Sequence, residues 1–119
     1  MTWKLDKSRP ICPQIVEQLC VRIANGQLVP GEKLMSVREA AVEAGVNPNT
    51  VQKAFEQLEA KKLIYSVRGS GWYVSDTTDD AKEETERLLY AKARLFFDDR
   101  RALGFTDAQI KQYVEEWSE

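Results

Sequence analysis

The amino-acid sequence predicts a mainly α protein with one small β-hairpin, in the order three short helices, the hairpin, then a helical hairpin. Three observations predict it. Helix start and stop signals recur from Pro10 to Gly26, from Ser36 to Gly45 and again from Asn47-Pro48. Two β-rich runs, Leu63-Ile64-Tyr65-Ser66-Val67 and Trp72-Tyr73-Val74, flank the glycine-rich Arg68-Gly69-Ser70-Gly71. Apolar side chains then repeat at seven-residue spacing through 80–103.

Each element has a local cause. Pro10 and Pro13 suit a first helical turn, where a missing N–H costs no hydrogen bond. Ile15, Leu19 and Ile23 follow at four-residue spacing, with Val16 and Cys20 widening the stripe, so the first helix covers about 12–25. Pro30-Gly31 reverses the chain. Ser36-Val37-Arg38-Glu39 is a capping box, in which hydroxyl and carboxylate each take an orphan backbone N–H, and it opens a second helix, about 36–44, that Gly45 closes. Asn47 as cap and Pro48 at the first helical position open a third helix, about 48–61, with Val51, Phe55 and Leu58 on its apolar face. The glycines at 69 and 71 permit the positive φ of a hairpin loop.

Composition narrows the function. At 119 residues a second full-sized, ligand-binding domain is not expected. Without histidine, the commonest general base and metal ligand are both missing, so no catalytic residue, metal or cofactor is expected and the protein is not read as an enzyme. Cys12 and Cys20, eight positions apart on one helix, lie about 12 Å apart and cannot form a disulfide with each other. They read as small apolar fillers of a reduced protein. No apolar run approaches membrane-spanning length and none follows the N-terminal charges, so a cytoplasmic protein with no membrane partner is expected. The net charge of −2 divides unevenly, +3 on residues 1–75 and −5 on residues 76–119. The break at the small and acidic residues 75–80 predicts two parts, 1–75 and 76–119.

The link Gly45-Val46-Asn47 is short enough to force the sharp crossing of a helix-turn-helix, and a trailing hairpin makes the first part a winged helix-turn-helix domain. In such a domain the third helix enters a DNA major groove and the hairpin lies over the backbone or minor groove. The ordered set Pro13-Gln14-Ile15, Leu19, Ile23, Gly26, Leu28, Pro30-Gly31, Leu34, Ser36, Arg38, Gly45-Val46-Asn47, Thr50-Val51, Ala54, Leu58 and Gly69-Ser70-Gly71 resembles the N-terminal domain of GntR-type transcriptional regulators. The short helical tail is similar to that of the YtrA-like subfamily.

That resemblance implies DNA contact by Ser36 and Arg38, by Asn47, Asn49, Thr50 and Gln52, and by Gly69, Ser70 and Gly71 at the wing tip. Met35 stands where the family commonly has Pro, and Pro48 where it often has Arg; Lys53 can supply part of the lost contact. The chemistry agrees: amides such as Asn49 and Gln52 can bond an adenine edge twice, Thr50 suits a phosphate or thymine methyl, and Arg38 can grip guanine or phosphate with two hydrogen bonds. Ser36 and Asn47 suit helix caps equally well. Arg68 at the hairpin tip suits phosphate or the minor groove.

In the tail, Ala81, Leu88, Leu95 and Ala102 form one heptad row and Leu89, Phe96 and Leu103 the row beside it. Thr106-Asp107-Ala108-Gln109 is a second capping box, and Ile110, Tyr113, Val114 and Trp117 make another apolar face. A helical hairpin cannot bury both faces alone; the YtrA-like resemblance implies that a second copy covers them in a homodimer, the alternative being docking on the chain's own N-terminal part. The leading expectation is a dimeric repressor acting on a two-fold symmetric double-stranded DNA operator, and the YtrA-like resemblance implies that the operon is a bacterial, transporter-type one. The alternative is a winged helix used only as a protein-interaction module. A small-molecule effector stays open, because the tail carries no legible ligand motif.

Overall fold

The computed structural model describes residues 2–76 and 78–117; Thr77, inside the small and acidic break, lies outside them. The elements are α1 (Ile11–Ala24), α2 (Val37–Ala44), α3 (Pro48–Ala60), β1 (Ile64–Val67), β2 (Gly71–Val74), α4 (Asp79–Ala102) and α5 (Asp107–Glu116). No described helix is long and apolar enough to cross a membrane.

The predicted stripe of α1 is its buried face: Ile15, Val16, Leu19, Cys20 and Ile23 all point inward. They meet Val51, Ala54, Phe55 and Leu58 of α3 and Ala40 and Ala41 of α2. Phe55 and Trp72 close the core edge-on, with ring centroids 5.7 Å apart. Full burial of a side chain such as Phe55 or Leu58 contributes about 1.5–3 kcal/mol, so this cluster fixes where α3 lies.

The hairpin pairs Ile64 with Val74 and Val67 with Gly71. A third segment, with no local signal in the sequence, joins the two strands. Lys33 bridges Tyr73, Leu34 N–H donates to the Trp72 carbonyl at 2.8 Å, and Val74 N–H donates to the Glu32 carbonyl at 2.9 Å. The Pro30-Gly31 turn therefore delivers a short extended piece that covers the free edge of β2, which limits strand addition there.

The compact units divide between Thr85 and Glu86, ten residues beyond the charge break at 75/76. The first turns of α4 belong with the N-terminal core, since Ala81 is fully buried in it and its carbonyl lies 3.6 Å from the Cys20 thiol. Within the second unit, the Thr106 capping box forms as predicted: its hydroxyl accepts from Gln109 N–H at 3.2 Å while the Gln109 side chain accepts from Thr106 N–H at 2.9 Å. Arg101 holds Asp107 with two hydrogen bonds of 2.6 and 2.9 Å across the α4–α5 turn.

Candidate nucleic-acid interface

Ser36 caps α2, its Oγ accepting from Glu39 N–H at 3.0 Å while Glu39 Oε1 accepts from Ser36 N–H at 3.3 Å. The cap uses the oxygen as an acceptor, which leaves the hydroxyl proton to be donated outward. Arg38, in the first turn of α2, is exposed. The helix ends at Gly45 in the left-handed region, φ 69°, with Val46 N–H returning to the Ala41 carbonyl at 3.0 Å. Glycine takes that conformation without strain, and Val46 then packs against the core, which fixes the direction of the link.

Asn47 caps α3 through Oδ1, which accepts from Asn49 N–H at 2.8 Å. With Val51, Ala54, Phe55 and Leu58 buried, the opposite face carries Asn49, Gln52 and Lys53 exposed and Thr50 half-buried. Gln52 donates to Glu56 Oε1 at 3.0 Å, which holds its amide in one orientation with the Oε1 end still an acceptor. Glu56 also places an acidic group one turn further on. The donor-rich part of α3 is thus its first two turns. Burial pushes the Cys12 thiol up from its ordinary value, with the Lys53 ammonium pulling the other way.

In the wing, Arg68, Gly69 and Ser70 form the loop; Gly69 has φ 78° and Gly71 φ 134°, both unfavourable to other residues. Arg68 is exposed. Ser70 Oγ and the Tyr73 hydroxyl are hydrogen-bonded, and Tyr73 stacks on Tyr65 across the strands with centroids 5.8 Å apart. A side chain at Gly71 would press to 3.3 Å of Lys33 Cε, so Lys33 lays its stem across the wing base. Lys33 was missed from the sequence because its neighbour here is brought in by a long-range bridge.

The tail residues fall into three groups by exposure. Leu89, Leu95, Leu103, Tyr113, Val114 and Trp117 are exposed, Leu95 and Leu103 by 63% and 70%. Leu88 and Phe96 are half-buried, Phe96 edge-on to Phe97 with the Arg100 guanidinium 4.2 Å above its ring. Ile110, expected at the dimer interface, is instead buried within a single copy at 2% exposure. It therefore leaves the set of side chains open to a partner.

Residues 13–74 match the family described as Bacterial regulatory proteins, gntR family. The chain is 45% identical over 112 residues to the HTH-type transcriptional repressor YtrA of Bacillus subtilis (strain 168), covering 93% of this chain and 86% of that protein. Its structure is similar to that of a GntR family transcriptional regulator from Listeria monocytogenes, with a TM-score of 0.81 and 32% identity over 96% of this chain and 100% of that one. It is also similar to AraR(DBD), solved in complex with operator ORX1, with a TM-score of 0.54 and 28% identity over 63% of this chain and 92% of that one.

Proposed function

The chain belongs to the gntR family of bacterial regulatory proteins, and from that premise we propose that it is a dimeric repressor binding a two-fold symmetric operator in double-stranded DNA. The family is one of transcription regulators rather than enzymes. The observation that carries the reading is the exposed start of α3, where Asn49, Gln52 and Lys53 present amide and ammonium groups on a helix whose other face is locked into the core. A helix held this way can enter a major groove with its first turns at the base edges. Asn49 and Gln52 then read bases, while Thr50 and Lys53 meet phosphates or base edges at the rim. Arg38 adds a fork of donors from α2, and Arg68 reaches the backbone or minor groove from the wing. An interaction module is disfavoured by the same face, which offers a partner protein no apolar anchor.

Repression by a dimer is supported by the similarity to a transcriptional repressor over 93% of the chain and by the exposed Leu89, Leu95 and Leu103 of the tail. Two copies related by a two-fold axis present two identical α3 helices, and half-sites about 10 base pairs apart follow from that symmetry. Selection of bound duplexes from a random-sequence pool tests the proposal. Enrichment of an inverted repeat with that spacing supports it. Enrichment of a sequence without inverted symmetry removes the dimeric operator, and absence of enrichment removes specific DNA binding.

A further inference from the structure

The segment before α1 is built as a fixed arm. Gln18 pairs with the backbone of Lys4, accepting from its N–H at 3.1 Å and donating to its carbonyl at 2.6 Å. Gln14 does the same for Asp6 at 2.8 and 2.9 Å, and also donates to the Pro10 carbonyl at 2.9 Å. Two amides four residues apart on one helix face thus act as a strand partner for an extended chain. Trp3 and Leu5 pack against the core, and the Arg22 guanidinium lies 5.1 Å from the centre of the Trp3 ring. At the turn, the Asp6 carboxylate accepts from Ser8 N–H and Oγ and from Arg9 Nε, so its charge is spent locally.

The arm delivers Lys7 to the helix-turn-helix link. Its ammonium donates to the Gly45 carbonyl at 3.1 Å and lies 3.4 Å from where a Cβ on Gly45 would stand. A lysine has three N–H donors, so two remain after this bond. Among the described residues no carboxylate pairs with Lys7, and its side chain is exposed. When a helix-turn-helix docks, its first helix crosses the phosphate backbone and its second lies in the groove, so the link between them runs along the groove edge.

We propose that the N-terminal arm is an additional DNA-contacting element in which Lys7, held against the Gly45 carbonyl, neutralises a phosphate at the edge of the groove entered by α3. The proposal rests on the DNA-binding reading and adds a contact outside α2, α3 and the wing. A charge already fixed in place loses little freedom on binding, which distinguishes Lys7 from an ordinary mobile surface lysine. The contact is sequence-independent: it sets register and affinity, not base choice.

The salt dependence of binding separates this role from a structural one. A duplex recovered by the full chain from a random pool is titrated with parent, Lys7→Gln, Lys7→Ala and Lys7→Arg between 50 and 200 mM salt. Loss of one phosphate contact makes the slope of log affinity against log salt shallower by about 0.9 per half-site. Lys7→Gln keeps a donor for the Gly45 carbonyl but removes the charge, so it should show the full change in slope, Lys7→Ala the same, and Lys7→Arg none. The base preference recovered from the pool should not change. Equal slopes for parent and Lys7→Gln overturn the proposal even if affinity falls, because the lysine then only braces the link. A parent that recovers no duplex fails the DNA-binding reading itself, and the arm proposal with it.

Discussion

Lys61 at the end of α3 donates to Glu84 on α4 at 3.1 Å, one turn beyond the point where Ala81 enters the core. The ion pair and the alanine hold the same junction, but by different physics. Lys61 is 40% exposed, and such pairs are worth about 0–1 kcal/mol. Ala81 is fully enclosed, and a larger side chain there must displace packed neighbours at a cost of about 1–3 kcal/mol. Denaturant midpoints should therefore rank parent, Lys61→Ala slightly below it, and Ala81→Leu well below both. The opposite order of the two variants would make the ion pair the main fastening.

Arg38 is exposed and lies in the first turn of a capped helix, so Arg38→Ala removes no core contact and should leave the melting temperature near that of the parent. Specific binding to a selected operator should weaken by about 1–3 kcal/mol, the range for one base-reading arginine. Equal affinity of parent and variant would reduce Arg38 to a surface charge.

The caps were legible in the sequence because their partners lie within three residues: Ser36 with Glu39, Asn47 with Asn49, Thr106 with Gln109. The stripe of α1 was legible because one helix face repeats every three to four positions. The arm, the Lys33 bridge and the role of Ala81 depend on chain brought together from afar; Cys20 and Ala81 are 61 positions apart. Charge composition placed the boundary at 75/76, but charge does not register that a single small residue further on is fully buried. Ile110 went to the wrong partner for the same reason: periodicity identifies an apolar position without saying which neighbour covers it. The polar positions of α2, α3 and the wing were marked by the family resemblance and by their chemistry.

Cys20 is fully buried, and that burial, with nearby Glu84 and Glu17 adding to it, pushes its thiol up to about 11. The unfolded chain releases this proton near pH 9, the folded chain only near 11. The folded state therefore holds the proton more tightly, and the stability this contributes is present in full below about pH 9 and is lost as pH rises towards 11. Denaturation of parent and Cys20→Ala across that range isolates the effect: the difference between them should shrink or reverse as pH rises. A difference independent of pH would show that the thiol ionises as it does in the unfolded chain. At neutral pH a maleimide should label Cys12 well before Cys20, because Cys20 lacks both access and thiolate.

The exposed leucines of the tail allow a cleaner test of dimerisation than the half-buried Leu88 and Phe96. Phe96 touches Phe97 and Arg100 within one chain, so truncating it disturbs the hairpin as well as any partner. Leu95 is 63% exposed, and removing it costs a lone copy little. In a dimer that covers this row, the same truncation removes a packed contact; a loss of about 2 kcal/mol at the centre of an interface weakens association roughly 30-fold. Sedimentation of Leu95→Ala beside the parent at low micromolar concentration should show the variant dissociating first, with an unchanged far-ultraviolet spectrum. Binding to a single half-site should be unaffected, since each domain keeps its own contacts, whereas binding to a full operator should weaken as the linkage between half-sites is lost. A variant that stays fully dimeric places the interface elsewhere. One that loses half-site and full-site binding equally shows the row serving the fold of a single copy.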